Sequence, residues 1–373
     1  MKKEHENKIT ETFLELLRAG LWNREPDLEC LLPLTSNEWS AVHDLAKKQT
    51  VEGLVFAGVQ KLNDLQHVDR QMIYRLVIRV EAIERANSRM NDVIMEQSAF
   101  FSQQSLNPIL LKGQGVARHY IEPLRRVCGD IDWYFSSPEE FRAAFDLLIK
   151  TGIRPSVDRS GNFVYNWKGQ VVDHHRKMFD SYGPFSRRSL QEIERELNPV
   201  NYMVQGCPVM VPAPTVEVIQ VTLHILKHML AFGVGIRQIC DIARLYVAHA
   251  HSVDGQMLKK VYQSLRVDKW VNLLHNTLVN SLGMSTSLLP FGDCPPSSDD
   301  RILNDVLNAG NFGFFNGQTP DMKNNIQGKS RSLITVMKNT ARYLPYAPFE
   351  AVSFPFTHFF SDLLRAAKIK KYK

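Results

Sequence analysis

Gly129-Asp130-Ile131-Asp132-Trp133-Tyr134-Phe135 is the stretch on which the reading of the whole chain turns. Its β-branched and aromatic residues favour a strand, and side chains on a strand alternate between faces. Asp130 and Asp132 therefore project from one side, with Ile131 behind them. Two carboxylates held this close repel each other unless a cation or a proton intervenes, and a hard divalent ion with oxygen ligands is the usual partner. Magnesium is the expected ion.

The flanking residues build outward from that strand. Upstream, Asn107-Pro108 precedes an apolar run, Ile109-Leu110-Leu111, which meets Lys112-Gly113-Gln114-Gly115 and then a helix-like stretch to Tyr120. This order reads as strand, glycine turn and helix. Free backbone N–H groups and the dipole at a helix start attract phosphate, and Lys112 adds a positive charge. Downstream, Ser137-Pro138-Glu139-Glu140 supplies a cap, a first-turn proline and two acids, opening a helix to about residue 150. Two further strands are expected at 163–167 and 170–178, joined by Lys168-Gly169 as a tight turn. The second carries Val171-Val172-Asp173-His174-His175, so Asp173 offers a third acid beside the first two. Three acids could hold two ions, the arrangement used for in-line displacement at phosphorus.

With these motifs in hand, the chain resembles the DNA polymerase beta-like nucleotidyltransferase superfamily. Within it, Leu111-Lys112-Gly113, Arg126 followed by Gly129-Asp130-Ile131-Asp132, the Asp173-His174-His175 strand and Gly235-Ile236-Arg237-Gln238 with Asp241 look like a bacterial family known mainly as uncharacterised nucleotidyltransferases. The resemblance spans roughly residues 109–245. It implies transfer of a nucleoside monophosphate from a nucleoside triphosphate, with Asp130, Asp132 and Asp173 as catalytic metal ligands. It further implies that Lys112, Gly113, Gln114, Gly129, Arg237 and Asp241 serve the nucleotide and its phosphates. One departure is visible: the superfamily commonly has Gly-Ser in the turn, whereas Gln114 follows Gly113 here, so no hydroxyl reaches the phosphate from that position.

Elsewhere the chain reads as helical. Met72, Leu76, Val80, Ile83, Met90 and Ile94 recur at helical spacing over 69–103, with Asp69 as a cap. The period returns from Pro214, first through Val218, Val221 and Ile225, then through Ile236, Ile239 and Ile242. We therefore expect a helical N-terminal region over 1–104, an α/β nucleotidyltransferase core with a mixed sheet over 105–212 and a helical C-terminal domain over 213–373. A loop is expected at 316–329, and the aromatic run 349–360 reads as a packed tail.

Composition narrows the class of protein. The 373 residues are 44% hydrophobic and 23% charged, ordinary values for a globular chain and unlike disordered or collagenous ones. No stretch reaches the length of an apolar membrane span and the first residues lack a leader's apolar centre, so a cytoplasmic protein is expected. Five scattered cysteines form no Cys-x-x-Cys pair, which argues against a disulfide framework or a zinc knuckle. The formal charge of +6, much of it in Lys368, Lys370, Lys371 and Lys373, suits an anionic small partner without demanding a long nucleic acid.

The expected reaction is magnesium-dependent, with an NTP as substrate, two ions bound, and pyrophosphate released. The acceptor, whether small molecule, sugar, protein or RNA, is not legible. Two rivals stand beside this reading. One is a catalytically silent nucleotide-binding protein on the same fold, and the other a metal-dependent hydrolase using His174, His175, His224 and His228. Structural or surface roles are the simpler reading of those histidines, and Arg237 with Asp241, four apart on a helix, also fit a plain surface pair.

Overall fold

The computed structural model describes residues 2–158, 160–184, 186–195, 198–291, 299–310 and 326–357. Four helices come first: α1 (Lys2–Trp22), α2 (Ser36–Lys48), α3 (Glu52–Val59) and α4 (Arg70–Ser102). The long α4 starts where the Asp69 carboxylate accepts the Met72 N–H at 3.0 Å, and its expected apolar stripe is buried. A capping box between Thr35 and Glu38 opens α2 in the same manner.

The middle of the chain alternates strand and helix: β1 (Ile109–Leu111), α5 (Lys112–Ala117), β2 (Ile131–Tyr134), α6 (Pro138–Lys150), β3 (Ser156–Val157), β4 (Phe163–Trp167), β5 (Gln170–His175), α7 (Ser186–Arg195), β6 (Val200–Val204) and β7 (Cys207–Val211). Among the described residues six α-helices follow: α8 (Pro214–Ala231), α9 (Ile236–Ala248), α10 (Gly255–Ser264), α11 (Asp268–Asn276), α12 (Arg301–Ala309) and α13 (Ile326–Tyr343).

The strands form one sheet in the order β3-β4-β5-β2-β1-β7-β6. It is mixed: β2 runs antiparallel to β1 but parallel to β5, and β1 runs parallel to β7. The fold is therefore α/β with a mixed sheet among many helices, as the alternation of motifs predicts. Lys168 and Gly169 join β4 to β5 with φ of 50° and 86°, the left-handed pair that a two-residue hairpin requires. A second such hairpin, β6 to β7, turns at Gln205 and Gly206 with φ of 47° and 88°. It was not foreseen as a hairpin. The strand expected over 170–178 ends earlier, at His175. Of the loop expected at 316–329, residues 316–325 lie outside the described residues and 326–329 begin α13. Phe354 is buried as a packed tail requires while Phe356 is exposed, and 358–373 lie outside the described residues.

Strand alternation divides the sheet into two faces. Ile131, Trp133, Phe163 and Val172 point into a core closed by the second half of α4 and by α6. Ile109, Leu111 and Tyr134 point the other way, into a core that contains α8 and α9. That second core also takes in Phe13 and Leu16 of α1, Val42 of α2 and Val55 of α3, so helices before and after the sheet share it. Arg18 Nε and Trp22 Nε1 fasten α1 to the carbonyls of Ser281 and Leu282 at 2.8 and 2.5 Å. Asp132, between Ile131 and Trp133, faces the α8 side.

Candidate active site

The register of the sheet sets the acids side by side. Asp132 pairs with Leu111 on β1 and with Asp173 on β5, so Leu111, Asp132 and Asp173 lie in a row across three strands, with Lys112 the residue that follows the end of β1. Asp130 stands just ahead of β2 and is exposed, Asp132 is buried, and Asp173 is half-buried. His175, two residues beyond Asp173 and hence on its face, puts Nε2 2.5 Å from Asp132 Oδ1 and 3.6 Å from Asp173 Oδ2. Lys112 Nζ lies 3.2 Å from the same Asp132 oxygen and 3.2 Å from His175 Nε2. Asp173 Oδ1 is buried with no hydrogen-bond partner.

Charge is unevenly shared across this row. Repulsion from Asp132, together with desolvation of the carboxyl group by its neighbours although the residue as a whole is exposed, pushes Asp130 up to about 6. Burial acts to raise Asp132 as well, but Lys112 and His175 outweigh it and hold that carboxyl well below the usual range. Asp173 is raised, first by burial and then by Asp132. An added cation would satisfy the orphaned Asp173 oxygen and relieve the repulsion between the acids, so the residues present fit a divalent ion. Asp132, Asp173 and His175 can bring ligand atoms within 4.8 Å of one another.

The glycine turn lies against these acids. Lys112 and Gly113 both have left-handed φ, of 42° and 34°, and a Cβ on Gly113 would come within 3.2 Å of the Asp130 carbonyl. A side chain there would be strained by that φ and would press on the Asp130 carbonyl, so glycine is favoured. The helix behind it has six residues, so its dipole is small and Lys112 carries most of the positive charge. Gly129 has open space around it, with nothing within 4 Å of an added Cβ. The Gln114 side chain faces away from the acids: it is buried against α4, where Nε2 donates to Asn87 Oδ1 at 2.9 Å.

Asn87 was not singled out in the sequence, although a polar residue on the apolar stripe between Ile83 and Met90 is a visible signal. Its Nδ2 donates to the carbonyls of Leu124 and Arg126, each at 2.7 Å, so one buried amide ties α4 to the turn and to the loop that leads into β2. Asn87→Ala strands two carbonyls and the Gln114 amide, each costing about 1–3 kcal/mol when buried and unpaired. The variant should lose at least about 2 kcal/mol of stability, read as a lower denaturation midpoint at unchanged slope.

Arg126 and Asp241 meet across the fold. Arg126 Nε and Nη2 donate to the two Asp241 oxygens at 2.8 and 2.6 Å, and Tyr120 Oη donates to Oδ1 at 2.7 Å. All three side chains are buried. Asp241 is thus committed to Arg126 instead of the surface pair with Arg237, whose Nε donates to Thr50 Oγ1 at 3.0 Å. The geometry brings Lys112, Gly113, Asp130, Asp132 and Asp173 together. It sets Gln114, Arg237 and Asp241 behind them.

The histidines separate by face. His174 is fully buried on the α4 side, where Tyr165 Oη lies 2.9 Å from its Nε2, and burial holds its imidazole well below the ordinary value. It cannot share a site with His175. His224 and Lys227 of α8 both bind Asp180, through Nδ1 and Nζ, at 2.8 Å each. Asp180 is close enough to Lys112 for each to shift the other's ionisation. Asp180 and Lys227 escaped the sequence reading because their neighbours are set by docking of α8 onto the sheet.

The sequence matches the family described as uncharacterised nucleotidyltransferase over residues 35–278, about two thirds of the chain. The chain belongs to that family. The matched span of this uncharacterised nucleotidyltransferase contains the glycine turn, all three acids and the Arg126–Asp241 pair, and its function is accordingly nucleotidyltransferase-like. A crystal structure of an antigenic nucleotidyltransferase-like protein from Paracoccidioides brasiliensis is similar at 13% identity and a TM-score of 0.34, covering 52% of this chain and 92% of that one. No curated protein matches the chain. Among the described residues, no helix of this family member is long and apolar enough to cross a membrane.

Proposed function

We propose that the protein moves a nucleoside monophosphate from a nucleoside triphosphate to a hydroxyl acceptor, releasing pyrophosphate, and that it does so with magnesium. The observation that carries this reading is the alignment of Asp132 with Asp173 on adjacent parallel strands, with one Asp173 oxygen buried and unpartnered. In this reading residues 105–212 form the catalytic unit and the helices of 213–373 complete the cleft.

Asp130, Asp132 and Asp173 would hold the magnesium, which when bound neutralises charge on the phosphoryl oxygens. The chain supplies the rest. Lys112, released from Asp132 as the site fills, places its ammonium on the departing phosphates, and the Gly113 turn brings backbone to them without a side chain in the way. Asp173, raised by burial, is suited to accept the proton of the attacking hydroxyl. Gln114 and Asp241 act by position: the first fixes the turn to Asn87, and the second holds Arg126 and so the approach to Asp130. Arg237, beside that buried pair, holds the same wall of the cleft through Thr50.

Two measurements follow. Lys112→Ala should raise the apparent KM for triphosphate at least about tenfold with the fold intact, because its contact is to phosphate. An unchanged KM would reduce Lys112 to a turn residue. Calorimetric titration with a non-hydrolysable triphosphate should show binding at least about tenfold tighter with magnesium than without. Equal affinity in both would contradict the site. The Gln114 side chain leaves the turn without a hydroxyl, which favours the catalytically silent reading; magnesium-dependent binding with no transfer to any acceptor would establish that alternative.

A further inference from the structure

A second cluster of ligating side chains lies away from the acids, where three segments of the chain converge. His119 follows α5, Glu217 sits in the first turn of α8, and His249 caps the end of α9. His119 Nε2 and His249 Nε2 lie 3.2 and 3.1 Å from one and the same oxygen, Glu217 Oε2. The two rings meet edge to face with centroids 4.6 Å apart. Arg118 grips the carboxylate from the other side, Nη1 to Oε1 at 2.8 Å and Nη2 to Oε2 at 2.6 Å, and also donates to the Gly115 carbonyl.

Hydrogen bonding alone fits this arrangement poorly. A carboxylate oxygen has two lone pairs in its plane, and Arg118 Nη2 already takes one on Oε2. Two imidazole N–H groups would then share the remaining lone pair. Their distances lie at the long end of the roughly 2.7–3.2 Å range of N–H···O bonds, whereas the Arg118 contacts lie at its short end. With metal–ligand bonds of about 2.0–2.2 Å, the edge of a tetrahedron is about 3.3–3.6 Å, so both separations need open only by a few tenths of an ångström to admit an ion. One ion placed between the two nitrogens and Oε2 uses a single lone pair.

We propose that His119, Glu217 and His249 form a second metal site that binds zinc through two imidazole nitrogens and one carboxylate oxygen. The three ligand atoms already lie within 4.8 Å of one another. Two nitrogen ligands select a borderline transition ion over magnesium, which prefers oxygen throughout. Arg118 orients the carboxylate from outside the site, the role such partners play around bound metals. His119 and His249 keep 10% and 12% of their side chains exposed, which leaves a path for the ion and a position for water. The ion would join the loop after α5 to the start of α8 and the end of α9, steadying the helix that begins at Lys112.

The acids of the catalytic row can also take zinc, so the test removes them. Protein carrying Asp132→Asn and Asp173→Asn, stripped with a chelator, is loaded with zinc, dialysed against excess magnesium and assayed for metal. We expect one zinc per chain, a thermal midpoint raised by zinc but not by magnesium, and intense visible absorption when cobalt replaces zinc. Adding His119→Gln and His249→Gln should abolish all three. No retained zinc in the double acid variant, or zinc that survives loss of both histidines, would overturn the site. Should the combined variant not fold, the same histidine changes in the otherwise native chain should lower the zinc count by one, and an unchanged count overturns the proposal equally.

Discussion

Asp132→Asn should abolish transfer, lowering kcat at least about a hundredfold, while the chain keeps its fold. The change preserves shape and removes only charge, yet Asp132 is where Lys112, His175 and the neighbouring Asp173 converge. In the proposed reaction, loss of that charge would leave neither a metal ion nor Lys112 held in register with the phosphates. Asp130→Asn should have a comparable effect on turnover with less risk to folding, because Asp130 is exposed. Pyrophosphate release measured beside thermal melts separates loss of chemistry from loss of structure. Near-normal turnover in either folded variant would remove these carboxylates from the reaction.

The largest expected effect on stability belongs to Asp241→Ala. Its carboxylate takes two bonds from Arg126 and one from Tyr120, and all three residues are buried. Removing one member of a buried ion pair leaves the other charge uncompensated and typically costs about 3–5 kcal/mol. Denaturant unfolding should show a loss of that size. A paired substitution, Arg126→Met with Asp241→Leu, tests the reasoning further: replacing both charges with apolar groups should restore much of the stability. Turnover should stay low in the restored protein, because Arg126 would no longer fix the loop that ends at Asp130. Recovery of both stability and turnover would show that the pair has no positioning role.

Local chemistry made much of this fold readable. The Asp69 cap and the stripe of α4, the Ser137-Pro138 start of α6 and the Lys168-Gly169 hairpin each follow from a few neighbouring residues. The acids could be placed on one face because strand alternation is a local property. What was not legible depends on contacts between distant segments. No spacing reveals that Arg126 meets Asp241 115 positions away, or that Gln114 turns toward Asn87 on α4. His175 entered the site because β5 pairs with β2 in the one register that sets Asp173 against Asp132, and a shift of one residue would have brought His174 in its place. The β6–β7 hairpin lacked the Asn-Gly or Asp-Gly turn that marks such a connection most strongly, having Gln205-Gly206 instead.

The position of the transferred label decides the class of reaction. Carboxylates two apart beside a third on the next strand can gather charge at the α-phosphate, while Lys112 and the glycine turn take the phosphates that leave. The purified protein, magnesium and a cell extract as the source of acceptor are incubated in parallel with α-labelled and γ-labelled triphosphate. Label from the α position should appear on an acceptor in step with pyrophosphate release, and none should arrive from the γ position. Label on the acceptor from the γ position would contradict the account.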